Sequence, residues 1–449
     1  VEKKSVPKKM DELCSHPPRL QVHQTPVVNP LYNAAVYRCE SIAEAESLMQ
    51  ASDEFVYQRQ GHPNAHVLAE QCRQLHGADA AIVTSSGMSA LALAVVANLQ
   101  QGDHLLISDR LYGRSTQLLQ NEFARWGLLV TQADFGSPQA VAAACHSKTR
   151  MLIVETIANP LLEVVDLPAL AEIAQRHAAK LLVDNTLATP AICRPIALGA
   201  DLVVESVSKM MNGHSDLMLG LLCGRVAAWD RVNAACATWG FTSSPHDCWL
   251  ASRGLATLHL RIERAAANAL ALAQFFARDN RICRVYYPGL PGSVDYLTAK
   301  AMFDLTQQQG DQSEQSLETP TESISKSNLK SAESVQADAR AELQDIPTES
   351  ANNKTMFGHM VSFQIDNPRR DPLLADQFIS RLGEIGFYPS LGDICTTISH
   401  PLSTSHRHLS DRQQQDLGIT RETIRVSVGI ESSEFIINQF SKALDALDL

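Results

Sequence analysis

Residues 202–216 read LVVESVSKMMNGHSD. An apolar run over 202–204 ends in Glu205, Ser206 and Ser208, and Lys209 follows at once. Between Leu181 and Ala299, Lys209 is the only lysine. A single lysine past a strand is ordinarily a surface residue. At the end of a buried strand it is something else. Desolvation disfavours its charged form, lowers its pKa and leaves a neutral amine able to attack an aldehyde.

A second strand decides between these readings. Residues 180–186 read KLLVDNT, and their apolar run delivers Asp184 at its carboxyl end. A lone aspartate there is most simply a turn or cap residue. Together, Asp184 and Lys209 meet the two demands that pyridoxal 5'-phosphate makes of a protein. One is a lysine for the aldehyde; the other is a carboxylate that keeps the ring nitrogen protonated. In a parallel sheet both strand ends point the same way.

Outward from this pair, strands are expected at 80–84, 104–107, 128–131, 151–155 and 219–223, with helices near 63–75, 88–99, 114–126, 137–146 and 167–179. This βα alternation predicts a mostly parallel sheet covered on both faces, with function at the carboxyl ends of its strands. Tyr112, Glu155, Asn159, Asp184, Ser206, Ser208 and Lys209 all gather at those ends. Residues 84–90, TSSGMSA, carry a strand into a helix. Gly87 and Met88 there form a phosphate cradle, because glycine admits close approach and the first helical N–H groups face an anion. The competing reading is an ordinary serine-capped helix.

Residues 1–52 read as an extended N-terminal arm, 53–250 as the cofactor domain and 251–449 as a smaller C-terminal α+β domain. One long amphipathic helix is expected from about 249 to 279. From about 304 to 353 the sequence turns to Gln, Ser, Glu, Thr and Asp, a composition that predicts a disordered insertion. Arg425 sits mid-strand between apolar neighbours, placed either for a structural ion pair or for a substrate carboxylate. Tyr57 and Arg59, two apart in an extended segment, project to one side, a pattern that alone carries little weight.

With 449 residues, 45% of them hydrophobic, the chain has enough for two or three domains. A net charge of −11 argues against nucleic acid as a partner. No apolar run reaches the length of a membrane span, and the basic first ten residues lead into no apolar stretch of a secretory signal. The ten cysteines include no C-x-x-C pair. They predict reduced thiols in a cytoplasmic protein, with neither disulfide frame nor metal site.

Taken together, these residues resemble the cystathionine γ-synthase family, the transsulfuration group of pyridoxal-phosphate enzymes. The matching stretches include TPVVNPLY, YQRQGHPN, SSGM, LYG, ETIANP, VDNTLATP, GADLVVESVSK with NGHSD, RGLATLHLR, YYPGL, SLGD, SHP and IRVSVGIE. They cover nearly the whole chain outside the N-terminal residues and the insertion. The resemblance implies the pyridoxal-phosphate-dependent transferase fold of the aminotransferase type. It implies that Lys209 bonds the cofactor and shuttles protons, that Asp184 pairs with the ring nitrogen, and that Gly87, Met88, Ser206 and Ser208 hold the phosphate. Tyr112 stacks on the ring and takes part in acid–base steps, while Asn159, Arg425 and the backbone at Ser390 hold the substrate carboxylate. Tyr57 and Arg59 reach the phosphate of a neighbouring subunit, so the resemblance also implies a homodimeric active site and a homotetramer.

The implied chemistry is elimination or replacement at the β or γ carbon of a sulfur amino acid. Four positions depart from the family pattern: His62, Arg114, Gln117 and Pro389. They are expected to line the substrate pocket. Arg114 stands where cysteine would suggest a methionine γ-lyase, and SLGD with the SHP stretch resembles the O-acylhomoserine sulfhydrylases as much as the synthases. A cystathionine γ-synthase or O-acylhomoserine sulfhydrylase is therefore expected, with a cystathionine γ-/β-lyase or methionine γ-lyase as the alternative. A family member that has lost turnover is disfavoured by the intact Lys209 and Asp184, and a nicotinamide dehydrogenase by the missing glycine fingerprint.

Overall fold

The computed structural model describes residues 26–50, 54–308, 355–407 and 411–447. Its larger sheet has seven strands: β1 (Ala80–Thr84), β2 (His104–Ser108), β3 (Leu129–Ala133), β4 (Thr149–Glu155), β5 (Lys180–Asp184), β6 (Leu202–Ser206) and β7 (Gly220–Gly224). Their order is β1-β7-β6-β5-β4-β2-β3. All run parallel except β7, which is antiparallel to both β1 and β6.

The central strands are continuous apolar runs because both faces of the sheet are covered. Alternate residues feed opposite cores. Leu181, Val183 and Val203 pack with Leu68 of helix Pro63–His76 and Leu170 of helix Leu167–Arg176. Leu182, Leu202 and Val204 pack with Ala90 and Leu93 of helix Gly87–Asn98. The register aligns the strand ends: Glu155 of β4 lies opposite Asp184 of β5.

The smaller sheet contains β8 (Ile282–Tyr286), β9 (Met360–Ile365), β10 (Gly386–Phe387), β11 (Thr397–Ser399) and β12 (Thr423–Ser427), in the order β10-β11-β12-β9-β8. Phe276, Phe363 and Phe440 join it to its two helices, with Phe276 centroids 4.2 Å from Phe363 and 5.2 Å from Phe440.

Two expectations are corrected. The single helix from about 249 is two helices, Pro245–Leu255 and Leu258–Arg278, and the first of them spans the expected domain boundary at 250. The break falls at Ala256 and Thr257, just past Gly254, which lies against the Asn212 backbone, where a Cβ would come within 2.7 Å of the Asn212 carbonyl oxygen. The Gly254 carbonyl accepts from Arg261 and from the Thr257 hydroxyl, satisfying it where the helix is interrupted. Residues 304–308, assigned above to the insertion, belong to helix Tyr296–Gln308. The rest of that segment, 309–353, lies outside the described residues.

The chain on either side of it is closed into a neck. The Gln307 side chain accepts from Met356 N at 3.0 Å and donates to Met356 O at 3.1 Å, and the Thr355 hydroxyl donates to Asp304. With the flanking residues already held together, closing the chain across this point with a short linker costs little. Replacing 309–354 with a short Gly-Ser linker should leave turnover unchanged and the melting temperature within a few degrees, about ±0.5 kcal/mol. A collapse of either would show that the segment supports the fold.

Candidate functional site

The turn after β6 carries Lys209 between the two sheets. Lys209 N donates to Ser206 O, and its own carbonyl accepts from Gly213 N. From the small-sheet side, Gly392 (φ +82°) sits on the Lys209–Met210 peptide. A Cβ there would lie 2.8 Å from the Lys209 carbonyl carbon, so residues 390–393, SLGD, need their glycine. The Lys209 ammonium donates to Ser390 Oγ at 3.0 Å. Burial pushes its pKa down, and the Arg425 charge adds to the shift.

Arg425, on β12, is buried and has no carboxylate within ion-pair distance among the described residues. It donates to Asn159 Oδ1 at 2.6 Å and to Ser390 O at 3.4 Å, and its Nε has no partner. Burial lowers its pKa to about 10. With its Nε unpartnered, this desolvated guanidinium has a donor left that could hold an anion.

Asp184 accepts two bonds at Oδ1, from Thr186 N at 3.0 Å and the Thr186 hydroxyl at 2.6 Å. Burial raises its pKa, which the Thr186 bonds oppose. Thr186 also accepts from Ser206 N at 2.9 Å, tying the aspartate to the lysine turn. At the head of helix Gly87–Asn98, Ser86 Oγ accepts from Ser89 N at 3.1 Å. A Cβ on Gly87 would stand 3.0 Å from Ser206 Cβ, which leaves the cradle open only to glycine.

A family model for Cys/Met metabolism PLP-dependent enzymes matches residues 15–313 and 322–445. The chain belongs to this family. An O-succinylhomoserine sulfhydrylase of Pseudomonas aeruginosa is 34% identical over 392 residues, 87% of this chain and 84% of that protein. An L-methionine gamma-lyase of Fusobacterium nucleatum subsp. polymorphum is 31% identical over 423 residues, 93% of each. A crystal structure of cystathionine gamma synthase from Xanthomonas oryzae pv. oryzae in complex with cystathionine matches with a TM-score of 0.76 and 26% identity, covering 94% of both chains. The protein is therefore a pyridoxal-phosphate-dependent enzyme of C–S bond chemistry in sulfur amino acid metabolism.

The residues present fit the cofactor of this family. Lys209 offers a desolvated amine, Asp184 keeps Oδ2 outside its Thr186 bonds, and the Gly87 turn has no side chain in the way. The site residues named from sequence do not all converge. Lys209, Ser390, Arg425 and Asn159 are linked by hydrogen bonds, and Asp184 joins them through Thr186 and Ser206. Ser208 is engaged elsewhere: its hydroxyl accepts from Leu219 N at 2.9 Å and donates to Leu219 O, closing the β6–β7 loop. Tyr57 and Arg59 stay on an exposed surface. The Arg59 guanidinium lies 5.4 Å from the Tyr57 ring centroid and donates to Ala237 O at 2.9 Å.

Nor do the four departures all line a pocket. His62 is a buried cap, its Nδ1 accepting from Ala65 N at 3.1 Å and its Nε2 3.2 Å from Ser243 Oγ. Pro389 and the hydrogen-bonded pair Arg114–Gln117 (2.7 Å) are exposed and so remain open to a ligand, which leaves His62 as the departure withdrawn from the site.

Sequence reasoning missed Thr186 and Arg261. Arg261 falls in step with Leu258, Ile262 and Ala265 on the apolar face of its helix, and that misplaced charge was the available signal. It is buried and donates to the carbonyls of Met210 (2.7 Å), Met211 (2.9 Å) and Gly254 (2.9 Å). Its guanidinium occupies the space a Cβ on Gly213 would need, which accounts for the glycine of the NGHSD stretch. Arg261→Met should destabilise the protein by about 3 kcal/mol or more in urea unfolding, because three carbonyls lose their donor. A change below about 1 kcal/mol would show that the turn holds itself.

Proposed function

We propose that the enzyme catalyses γ-replacement on an activated homoserine, taking an O-acyl ester such as O-succinyl-L-homoserine and a small sulfur nucleophile. The observation that carries this reading is the exposed Arg114 beside Tyr112. It is held by Gln117 and has no carboxylate within ion-pair distance among the described residues. A free guanidinium one residue past Gly113 suits the distal carboxylate of a dicarboxylic acyl group. The 34% identity to an O-succinylhomoserine sulfhydrylase supports the same choice.

In this reading Arg425 and Asn159 hold the α-carboxylate, which fixes the amino acid next to Lys209. Bound at Lys209 and Asp184, pyridoxal phosphate supplies the electron sink for a substrate carbanion. Lys209, with its pKa lowered by burial, holds or releases a proton at Nζ, and Ser390 Oγ orients that nitrogen.

Tyr57 and Arg59 are read as the contribution to a partner's phosphate site, so the active unit is a homodimer and the assembly a homotetramer. No helix among the described residues is long and apolar enough to cross a membrane. We assign the enzyme to the cytoplasm on the scattered cysteines of its sequence.

The lyases among the relatives supply the second reading, favoured by identities of 28–31% over 93% or more of this chain. One assay separates the two. Enzyme supplied with pyridoxal phosphate and O-succinyl-L-homoserine should form homocysteine when sulfide is added, and L-cystathionine or L-methionine alone should give little keto acid. Rapid release of pyruvate or 2-oxobutyrate from either substrate without added thiol would establish a lyase instead.

A further inference from the structure

Glu155 ends β4 and is buried. Both of its carboxylate oxygens are used by main-chain donors. Oε1 accepts from Tyr112 N at 2.6 Å, and Oε2 accepts from Asn159 N at 3.2 Å. These two residues sit on separate loops, one after β2 and one after β4. Tyr112 is the residue expected over the cofactor ring, and Asn159 passes its side-chain oxygen to Arg425. One carboxylate therefore joins the loop that would cover the ring to the loop that would hold the substrate carboxylate. Glu155 also lies in register with Asp184, so the tie is anchored beside the carboxylate expected to meet the ring nitrogen.

The choice of a carboxylate here is costly for folding alone. Burial and the nearby Asp184 push the Glu155 carboxyl pKa up, against the pull of its two N–H donors. No neutral side chain offers two acceptors in this geometry. Glutamine turns one of them into a donor facing an N–H, and aspartate is one methylene short of reaching both loops.

We propose that Glu155 is a positioning residue that fixes the spacing between Tyr112 and Asn159, and through it the placement of the substrate α-carboxylate relative to the cofactor ring. The inference rests on the reading of Lys209 as the cofactor lysine.

The test compares wild-type enzyme with Glu155→Gln and Glu155→Asp, each loaded with pyridoxal phosphate. Three quantities are followed: the visible circular dichroism of the bound cofactor, the dissociation constant of glycine from the spectral change, and KM and kcat with O-succinyl-L-homoserine. Glycine has the α-carboxylate but no leaving group, so its binding reports placement without turnover. Both variants should retain cofactor absorbance, lose part of the cofactor's dichroic band, and bind glycine at least about tenfold more weakly. The rise in KM should exceed the fall in kcat. In an Asn159→Ala background, Glu155→Gln should weaken glycine binding less, because the part of its effect carried by the Asn159 side chain is already gone.

Variants that melt lower yet keep the wild-type dichroism and glycine affinity would overturn the proposal and leave Glu155 a structural acceptor. A Glu155→Gln effect on glycine that persists in full in the Asn159→Ala background would do the same. If Glu155→Gln does not fold, Glu155→Asp, which keeps the charge, carries the comparison. Failure of the wild-type enzyme to take up pyridoxal phosphate would instead strike the cofactor reading itself, so the two failures are told apart.

Discussion

The desolvated amine of Lys209 is the constraint on which the rest of the site depends. A lysine at the end of a strand keeps its charge if water reaches it. Here the small sheet is laid over it. Gly392 presses on the Lys209–Met210 peptide from one side, and Arg261 holds the following carbonyls from the other. The amine is left with the Ser390 hydroxyl and a distant positive charge on Arg425, a combination that favours the neutral nucleophile. The two domains are thus joined where the chemistry takes place. The glycines of NGHSD and SLGD are explained by this clamp, since both sit where another group already fills the space of a Cβ.

The surrounding charges are arranged around a ligand more than around one another. Asp184 and Arg425 are both desolvated, and neither pairs with a charge of opposite sign. Each is held by neutral groups: Thr186 for Asp184, Asn159 and Ser390 O for Arg425. Burying unpaired charge costs stability, and the cost is recovered when a complementary ligand arrives. A protonated ring nitrogen beside Asp184 and a carboxylate beside Arg425 supply that complement.

Much of this was legible in the sequence because buried parallel strands announce themselves as apolar runs with a polar residue at the carboxyl end. Residues 181–184 and 202–206 were of this kind, and β5 and β6 fall on them. Arg425 and Asn159 were legible as a pair only through the family pattern, since their meeting depends on the docking of two sheets 266 positions apart in the chain. The break at Ala256 and Thr257 was not legible. Helical periodicity runs straight through residues 249–278, and the close packing of Gly254 on Asn212 just before the break is a tertiary contact. The role of His62 was hidden for a similar reason. As a substitution in a family motif it suggested a changed pocket, yet its ring nitrogen caps the helix that follows. Ser208 enters as a phosphate ligand through the family resemblance alone, and nothing in the sequence signals that its hydroxyl also bonds the Leu219 backbone across the β6–β7 loop.

The most direct measurement is to add pyridoxal phosphate to the purified protein, reduce with borohydride, and locate the pyridoxyl group by peptide mass spectrometry. The account predicts one stoichiometric label, on the peptide carrying Lys209, the single lysine between residues 181 and 299. Label on another lysine, or scattered over several at low occupancy, would contradict it.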